Sequence, residues 1–230
     1  MSVEDGSGQG NYPAKLRLSG WVNAALDWVF PPRCVGCAAV DSVWCADCQQ
    51  QLEAEPIAPR TRRLPPFTAL AATATHGGIL QPSLHALKYA DARALAVPLG
   101  DRLAATYRLL GWTLDMIIPV PLHTTRYRER GYNQSQLIGE RMAQSLSLPC
   151  FPSALTRWRS TATQVGLSRS ERQQNLQDAF HADPTLVSGR RILLIDDVQT
   201  TGATLQAAAH ALFNVDAVAV YGLTVTAARL

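Results

Sequence analysis

The chain has 230 residues, 47% of them hydrophobic and 17% charged, which is room for one α/β domain with a small appendage and not for two equal halves. A formal net charge of +3 argues against binding nucleic acid by bulk electrostatics, although local basic patches stay open. Four of the five cysteines fall in one short segment, a usage that points to a reducing compartment and a metal clip instead of a disulfide framework. Residues 1–10 are small, polar and glycine-rich and read as a disordered tail. Over residues 16–30, Leu18, Trp21, Val22, Ala25, Leu26, Val29 and Phe30 recur at helical spacing, predicting an amphipathic helix that docks on the main domain and stops at Pro31-Pro32. This end does not read as a secretory signal, and no run is long enough to cross a bilayer. Residues 31–55 hold the cysteines. Residues 56–66, with Pro56, Pro59, Pro65 and Pro66 around Arg60, Arg62 and Arg63, read as a linker. The main domain then occupies residues 67–230. Strands are expected at 67–75, 115–120, 191–198 and 217–226, and helices at 82–89, 92–110, 135–146 and 202–213. Apolar strands alternating with helices predict a parallel sheet covered on both faces, with ligands beyond the carboxyl ends of the strands.

Cys34-Val-Gly-Cys37 and Cys45-Ala-Asp-Cys48 are two CxxC pairs on either side of a short loop carrying Trp44. Each pair turns two sulfurs toward one point, and two such knuckles complete a tetrahedral thiolate site. A closed four-thiolate set has no open position, so structural zinc is the expectation, with a redox pair or an iron–sulfur centre as alternatives. The loop is too short for a core of its own, so the metal would substitute for burial. A zinc knuckle can also touch nucleic acid, but few charges lie within this one.

The most informative stretch is Ile-Leu-Leu-Ile-Asp-Asp-Val-Gln-Thr-Thr-Gly-Ala-Thr over residues 192–204. A buried strand delivers Asp196 and Asp197, and a turn of Thr200, Thr201, Gly202, Ala203 and Thr204 then opens a helix. The first amides of a helix lack partners and its dipole is positive there, so this turn suits a phosphate. The threonine hydroxyls add donors, and Gly202 permits close backbone approach. Two carboxylates beside a phosphate would repel it unless they address another part of the same ligand. Vicinal sugar hydroxyls donate hydrogen bonds to carboxylates, and a magnesium ion would offset the crowded negative charge. Acidic strand ends also occur in nucleoside triphosphatases and phospho-acceptor domains, but the chain has no GxxxxGK[ST] and Lys88 is its only lysine beyond Lys15.

The 192–204 run resembles the phosphoribosyl pyrophosphate motif of type I phosphoribosyltransferases, and the chain as a whole is similar to the ComF/GntX family of competence-associated proteins. The likeness rests also on the four-cysteine knot after Phe30-Pro-Pro, on Ala86-Leu-Lys-Tyr89, on Pro119-Val-Pro121 leading to Arg128-Glu-Arg-Gly-Tyr-Asn-Gln134, and on Gln164-Val-Gly-Leu-Ser-Arg-Ser-Glu-Arg-Gln-Gln-Asn175 before Ala179-Phe180. It implies an α/β fold with a parallel-sheet type I phosphoribosyltransferase-like core and a small N-terminal four-cysteine zinc module. It also implies magnesium-bound phosphoribosyl pyrophosphate as ligand, and a pyrophosphate loop at residues 119–130. There Arg126, Arg128 and Arg130 are the candidates, with the inward-pointing one left open. The connection over residues 156–175 is longer than loops normally are and reads as a lid carrying Gln164, Arg169 and Arg172. Lys88 is a further candidate for the pyrophosphate, or else a surface lysine. The five histidines show no pairing with an acid and a nucleophile and receive no role.

Two functions follow. The first is pentosyl transfer, with Asp196 and Asp197 as catalytic residues stabilising the ribose and its oxocarbenium-like transition state. The second is a non-catalytic sensor or scaffold for phosphoribosyl pyrophosphate or a nucleotide, acting through protein or single-stranded DNA partners. No segment is assignable to an acceptor. The resemblance further implies a role in DNA uptake or use beside the competence machinery, hence a cytoplasmic location extending to the inner face of the membrane.

Overall fold

The computed structural model describes residues 31–158 and 179–228. A five-stranded sheet runs in the order β1-β2-β7-β6-β3, built from β1 (Arg60–Arg62), β2 (Ala69–Thr75), β3 (Met116–Pro119), β6 (Arg191–Gln199) and β7 (Ala219–Ala227). Four of these strands are mutually parallel, as their unbroken apolar runs predict, and β1 joins the edge antiparallel. A separate antiparallel ribbon pairs β4 (Leu155–Arg157) with β5 (Phe180–Ala182). Helices α1 (Ala46–Ala54), α2 (Leu80–Tyr89), α3 (Ala96–Leu110), α4 (Thr124–Arg130), α5 (Gln134–Leu146), α6 (Pro184–Val187) and α7 (Ala203–Phe213) complete the described chain.

Sheet burial on both faces explains why Ile192, Leu193, Leu194 and Ile195 of β6 are all inaccessible. Leu193 and Ile195, with Leu223 and Val225 of β7, pack against Leu84 and Leu87 of α2, Leu99 and Leu103 of α3, and Ile138 and Met142 of α5. Ile192 and Leu194, with Leu70 and Val220, meet the alanine-rich face of α7 together with Leu155 and Phe180. The result is a three-layer α/β sandwich in which β6, the strand carrying Asp196 and Asp197, is an inner strand between β7 and β3. Every parallel strand ends on the same side, so residues following β2, β6 and β7 converge there.

The stretch read as a linker is corrected in part. Arg60, Thr61 and Arg62 pair with Ala72, Ala71 and Leu70, so they are sheet and not connector. A three-residue edge strand bearing two arginines has no apolar alternation to reveal it. Beyond it, Leu64 packs on the α7 side of the core, and Gln206 Nε2 donates to the Pro65 carbonyl at 2.7 Å. The cysteine module is likewise docked, through Leu52 of α1, which joins the main core with Val35 and Trp44 against it. Arg102 of α3, only 6% exposed, donates to Thr73 Oγ1 of β2 at 2.7 Å and to the carbonyls of Glu55 and Pro56 at 2.6 and 2.5 Å. It thereby fastens the exit of the module to the sheet.

Part of the expected pyrophosphate loop is helical: residues 124–130 form α4, capped by His123 Nδ1 accepting from the Thr125 amide. Thr156 and Arg157, read as the start of a lid, belong to β4. The tail and amphipathic helix expected over residues 1–30, and the lid candidates Gln164, Arg169 and Arg172, lie outside the described residues. Among the described residues, no helix is long and apolar enough to cross a membrane.

Candidate functional site

Beyond the carboxyl end of β6 the chain leaves the sheet at Gln199 and re-enters a helix at Ala203. Gly202 makes the turn possible with φ of +86°, a left-handed value that glycine adopts without strain. A Cβ there would also come within 2.6 Å of Leu64 Cδ2, so the residue is required twice over. Asp196, Thr200, Thr201, Gly202, Ala203 and Thr204 line one small polar cavity of about 50 Å³, together with Val198, Gln199 and Leu205. Thr201 Oγ1 accepts from the Ala203 amide at 3.3 Å, closing the turn over the start of α7.

The two acids diverge. Oδ1 of Asp196 accepts from Ser135 Oγ of α5 at 2.8 Å and from the Asp197 amide at 2.9 Å. Burial first, and the Asp197 charge second, push the Asp196 carboxyl up to about 7, against the hydrogen bonds and the Lys88 charge that favour its ionised form. Asp197, 4% exposed, instead meets Lys88 Nζ of α2 at 2.7 Å through Oδ2. Lys88 is thus drawn into the site as an ion-pair partner and is no free surface lysine.

Two further groups surround the pair, and sequence reasoning missed both. His76, the residue after β2, bonds Thr226 Oγ1 of β7 through Nδ1 at 2.9 Å, and its backbone amide continues the ladder to Ala227. Burial and the Lys88 charge hold its imidazole below the ordinary histidine range, with Asp197 opposing. The available signal was its place at the end of an apolar strand just before Gly77-Gly78. Arg157 of β4 stacks over Phe180 with its guanidinium carbon 5.3 Å from the ring centroid. Burial lowers its pKa and the Asp196 charge raises it. Nothing in the sequence singles out Arg157 among its neighbours.

The arginines expected on residues 119–130 separate. Arg126 lies on the exposed face of α4, where its Nη1 is 3.8 Å from Glu129, and Arg128 is also exposed. Arg130 is partly buried, donates to Gln134 Oε1 and lies over Tyr89, the neighbour of Lys88, at 5.3 Å. The following Tyr132 and Asn133 are scaffold. The Tyr132 hydroxyl donates to the Leu87 carbonyl, while Asn133 caps α5 and donates to the Val120 carbonyl at 2.9 Å.

At the other end, Sγ atoms of Cys34 and Cys48 are 3.6 Å apart and those of Cys37 and Cys45 are 3.5 Å apart, with all four within 4.8 Å of one another. Sulfurs about 2.3 Å from a shared tetrahedral ion are spaced at roughly this separation, so the set fits one metal. Gly36 is needed here, since a Cβ would fall 2.6 Å from Cys48 Sγ. Burial pushes the Cys34 thiol up, but the amides of Cys45, Cys37 and Gly36 outweigh it and bring the group down to about 6. Burial and the neighbouring sulfurs push the Cys48 thiol up instead, so the clustered sulfurs compete for negative charge that a shared cation would relieve.

The family model of the phosphoribosyl transferase domain matches residues 133–229. The match and the mostly parallel sheet define this class of protein. The DNA utilization protein YhgH of Escherichia coli K12 is 36% identical over 161 residues, 68% of this chain and 70% of that protein. Competence protein F of Haemophilus influenzae is 39% identical over 113 residues, 47% of this chain and 49% of that one. The chain therefore belongs to the ComF family. Among solved structures, the glutamine phosphoribosylpyrophosphate amidotransferase of Bacillus subtilis superposes with a TM-score of 0.43 at 20% identity, covering 58% of this chain and 26% of that one.

Proposed function

We propose that this protein binds magnesium-bound phosphoribosyl pyrophosphate and uses it in pentosyl transfer, within a family role in DNA uptake or use. One observation carries the reading: Asp196 and the threonine turn of residues 200–204 line the same cavity at the start of α7. The turn receives the 5-phosphate on helix amides and hydroxyls. Asp196 accepts from a ribose hydroxyl and, when ionised, stabilises positive charge developing at the anomeric centre. Asp197 joins it when Lys88 turns from the carboxylate toward the leaving pyrophosphate, and Arg130 and Arg157 add positive charge. Magnesium, arriving with the ligand, offsets its negative charge.

In this reading residues 31–55 form a module and residues 67–230 the transferase domain, with residues 60–62 as an edge strand of the latter. Cys34, Cys37, Cys45 and Cys48 hold a structural zinc ion. The names of the relatives, DNA utilization and competence proteins, support the family role.

Calorimetric titration of the full chain tests the site. Magnesium phosphoribosyl pyrophosphate is expected to bind more tightly than ribose 5-phosphate or a nucleoside triphosphate. Asp196→Asn and Asp197→Asn are each expected to weaken it at least about ten-fold, the scale of a lost charge-assisted hydrogen bond. Unchanged affinity in both variants would reject the assignment. Release of pyrophosphate in the presence of acceptor bases or amines separates an enzyme from a sensor, which binds and releases nothing.

A further inference from the structure

We infer that Ser135 is a positioning residue: its hydroxyl pins Oδ1 of Asp196, so that Oδ2 alone is offered to the ribose. The inference rests on the phosphoribosyl reading of the site and names the device that orients its first acid.

The geometry begins in α5. Asn133 accepts from the Ser135 amide at 3.0 Å, and its own amide group donates to the Val120 carbonyl, so the first turn of the helix is anchored just past β3. Ser135 is fully buried, and its Oγ, 2.8 Å from Asp196 Oδ1, has no solvent to exchange that contact for. The Asp197 amide donates to the same oxygen. Oδ1 therefore carries two donors while Oδ2 has no hydrogen bond among the described residues, and Asp196 lines the phosphate-turn cavity. A carboxylate turns readily about its terminal torsion, which is broad and two-fold. Two donors from different elements, β6 and α5, remove that freedom before ligand arrives, so less of it is lost on binding.

A donor to a carboxylate also favours its ionised form. The other charges facing Asp196 are Asp197 on its own strand, Lys88 from α2 and Arg157 from β4, with His76 beyond β2 facing Lys88 and Asp197. Of these, only Asp197 opposes ionisation of Asp196, so removing the serine hydroxyl leaves the remaining cations to work against burial with one donor fewer.

The test uses the full chain with carboxyl-labelled aspartate. The Asp196 titration is followed in the wild type, Ser135→Ala, Ser135→Cys and Ser135→Thr, alongside calorimetry with magnesium phosphoribosyl pyrophosphate from pH 6 to about 9. Cysteine keeps the volume with a much weaker donor, and threonine keeps the hydroxyl. In the alanine and cysteine variants the Asp196 midpoint is expected to rise, affinity near neutral pH to fall roughly ten-fold, and the pH midpoint of binding to move up with it. Threonine restores both. A folded Ser135→Ala with wild-type midpoint and affinity overturns the proposal, and if that variant does not fold, the cysteine variant decides in the same way. Failure of the wild type to bind the ligand rejects the phosphoribosyl reading instead, while the titration, made without ligand, still decides the role of Ser135.

Discussion

At Asp196 a partly buried carboxyl group sits beside a second acid, and a titration signature follows. Its folded pKa of about 7 lies above the unfolded value of 3.8. Between those two, the folded chain holds a proton that the unfolded chain has released, so stability falls as pH rises through this window and levels off above it. Asp196→Asn removes the cost while keeping an acceptor for Ser135. The variant is expected to melt a few degrees higher than the wild type at pH 8, with the gap closing toward pH 5. A lower melting temperature at pH 8 would contradict this electrostatic picture. Gly202 is the other single-residue prediction. Alanine there meets both the +86° φ and Leu64 at 2.6 Å, and a loss of about 1–3 kcal/mol in urea unfolding is expected. Its anion affinity should fall as well, since the turn must shift to relieve the clash.

Elements meet through a few buried polar fasteners. Arg102 joins α3, β2 and the end of the cysteine module by three hydrogen bonds, and desolvation holds its guanidinium below the usual pKa. Arg102→Met keeps most of the packing but orphans the Glu55 and Pro56 carbonyls. A destabilisation of roughly 2–4 kcal/mol is expected from the urea midpoint at unchanged slope. At this scale the long apolar strands and the helices of the main domain were legible, with ends displaced by one or two residues except at α3, which begins four residues later than expected, after a 3-10 turn at Arg93–Leu95. What escaped were elements held by context. The strand at Arg60–Arg62 is polar and short, α1 begins between Cys45 and Cys48 of the four-cysteine knuckle, and the three-residue strands β4 and β5 exist only because they pair with each other.

For the whole molecule, the decisive link runs from the four-cysteine knuckle to the threonine turn after β6. Cys34 and Cys48 are almost fully buried, Leu52 enters the main core, and the chain then proceeds through the edge strand to Leu64 against Gly202. One zinc per chain is expected by elemental analysis. Its removal by chelator should lower the melting temperature and release four thiols to titration, whereas a protein with no metal and four freely reactive thiols would refute the module. Sequence by itself determined the strand that carries the acid pair, the helix start that follows it and the four-cysteine pattern, because each depends on residues adjacent in the chain and on local geometry. Only the tertiary structure decided that Lys88 pairs with Asp197, that Ser135 holds Asp196, and that His76 and Arg157 approach from the end of one strand and the edge ribbon. Those side chains are between 39 and 121 residues from the acids they face, and a parallel sheet brings them together only by ending all its strands on one side.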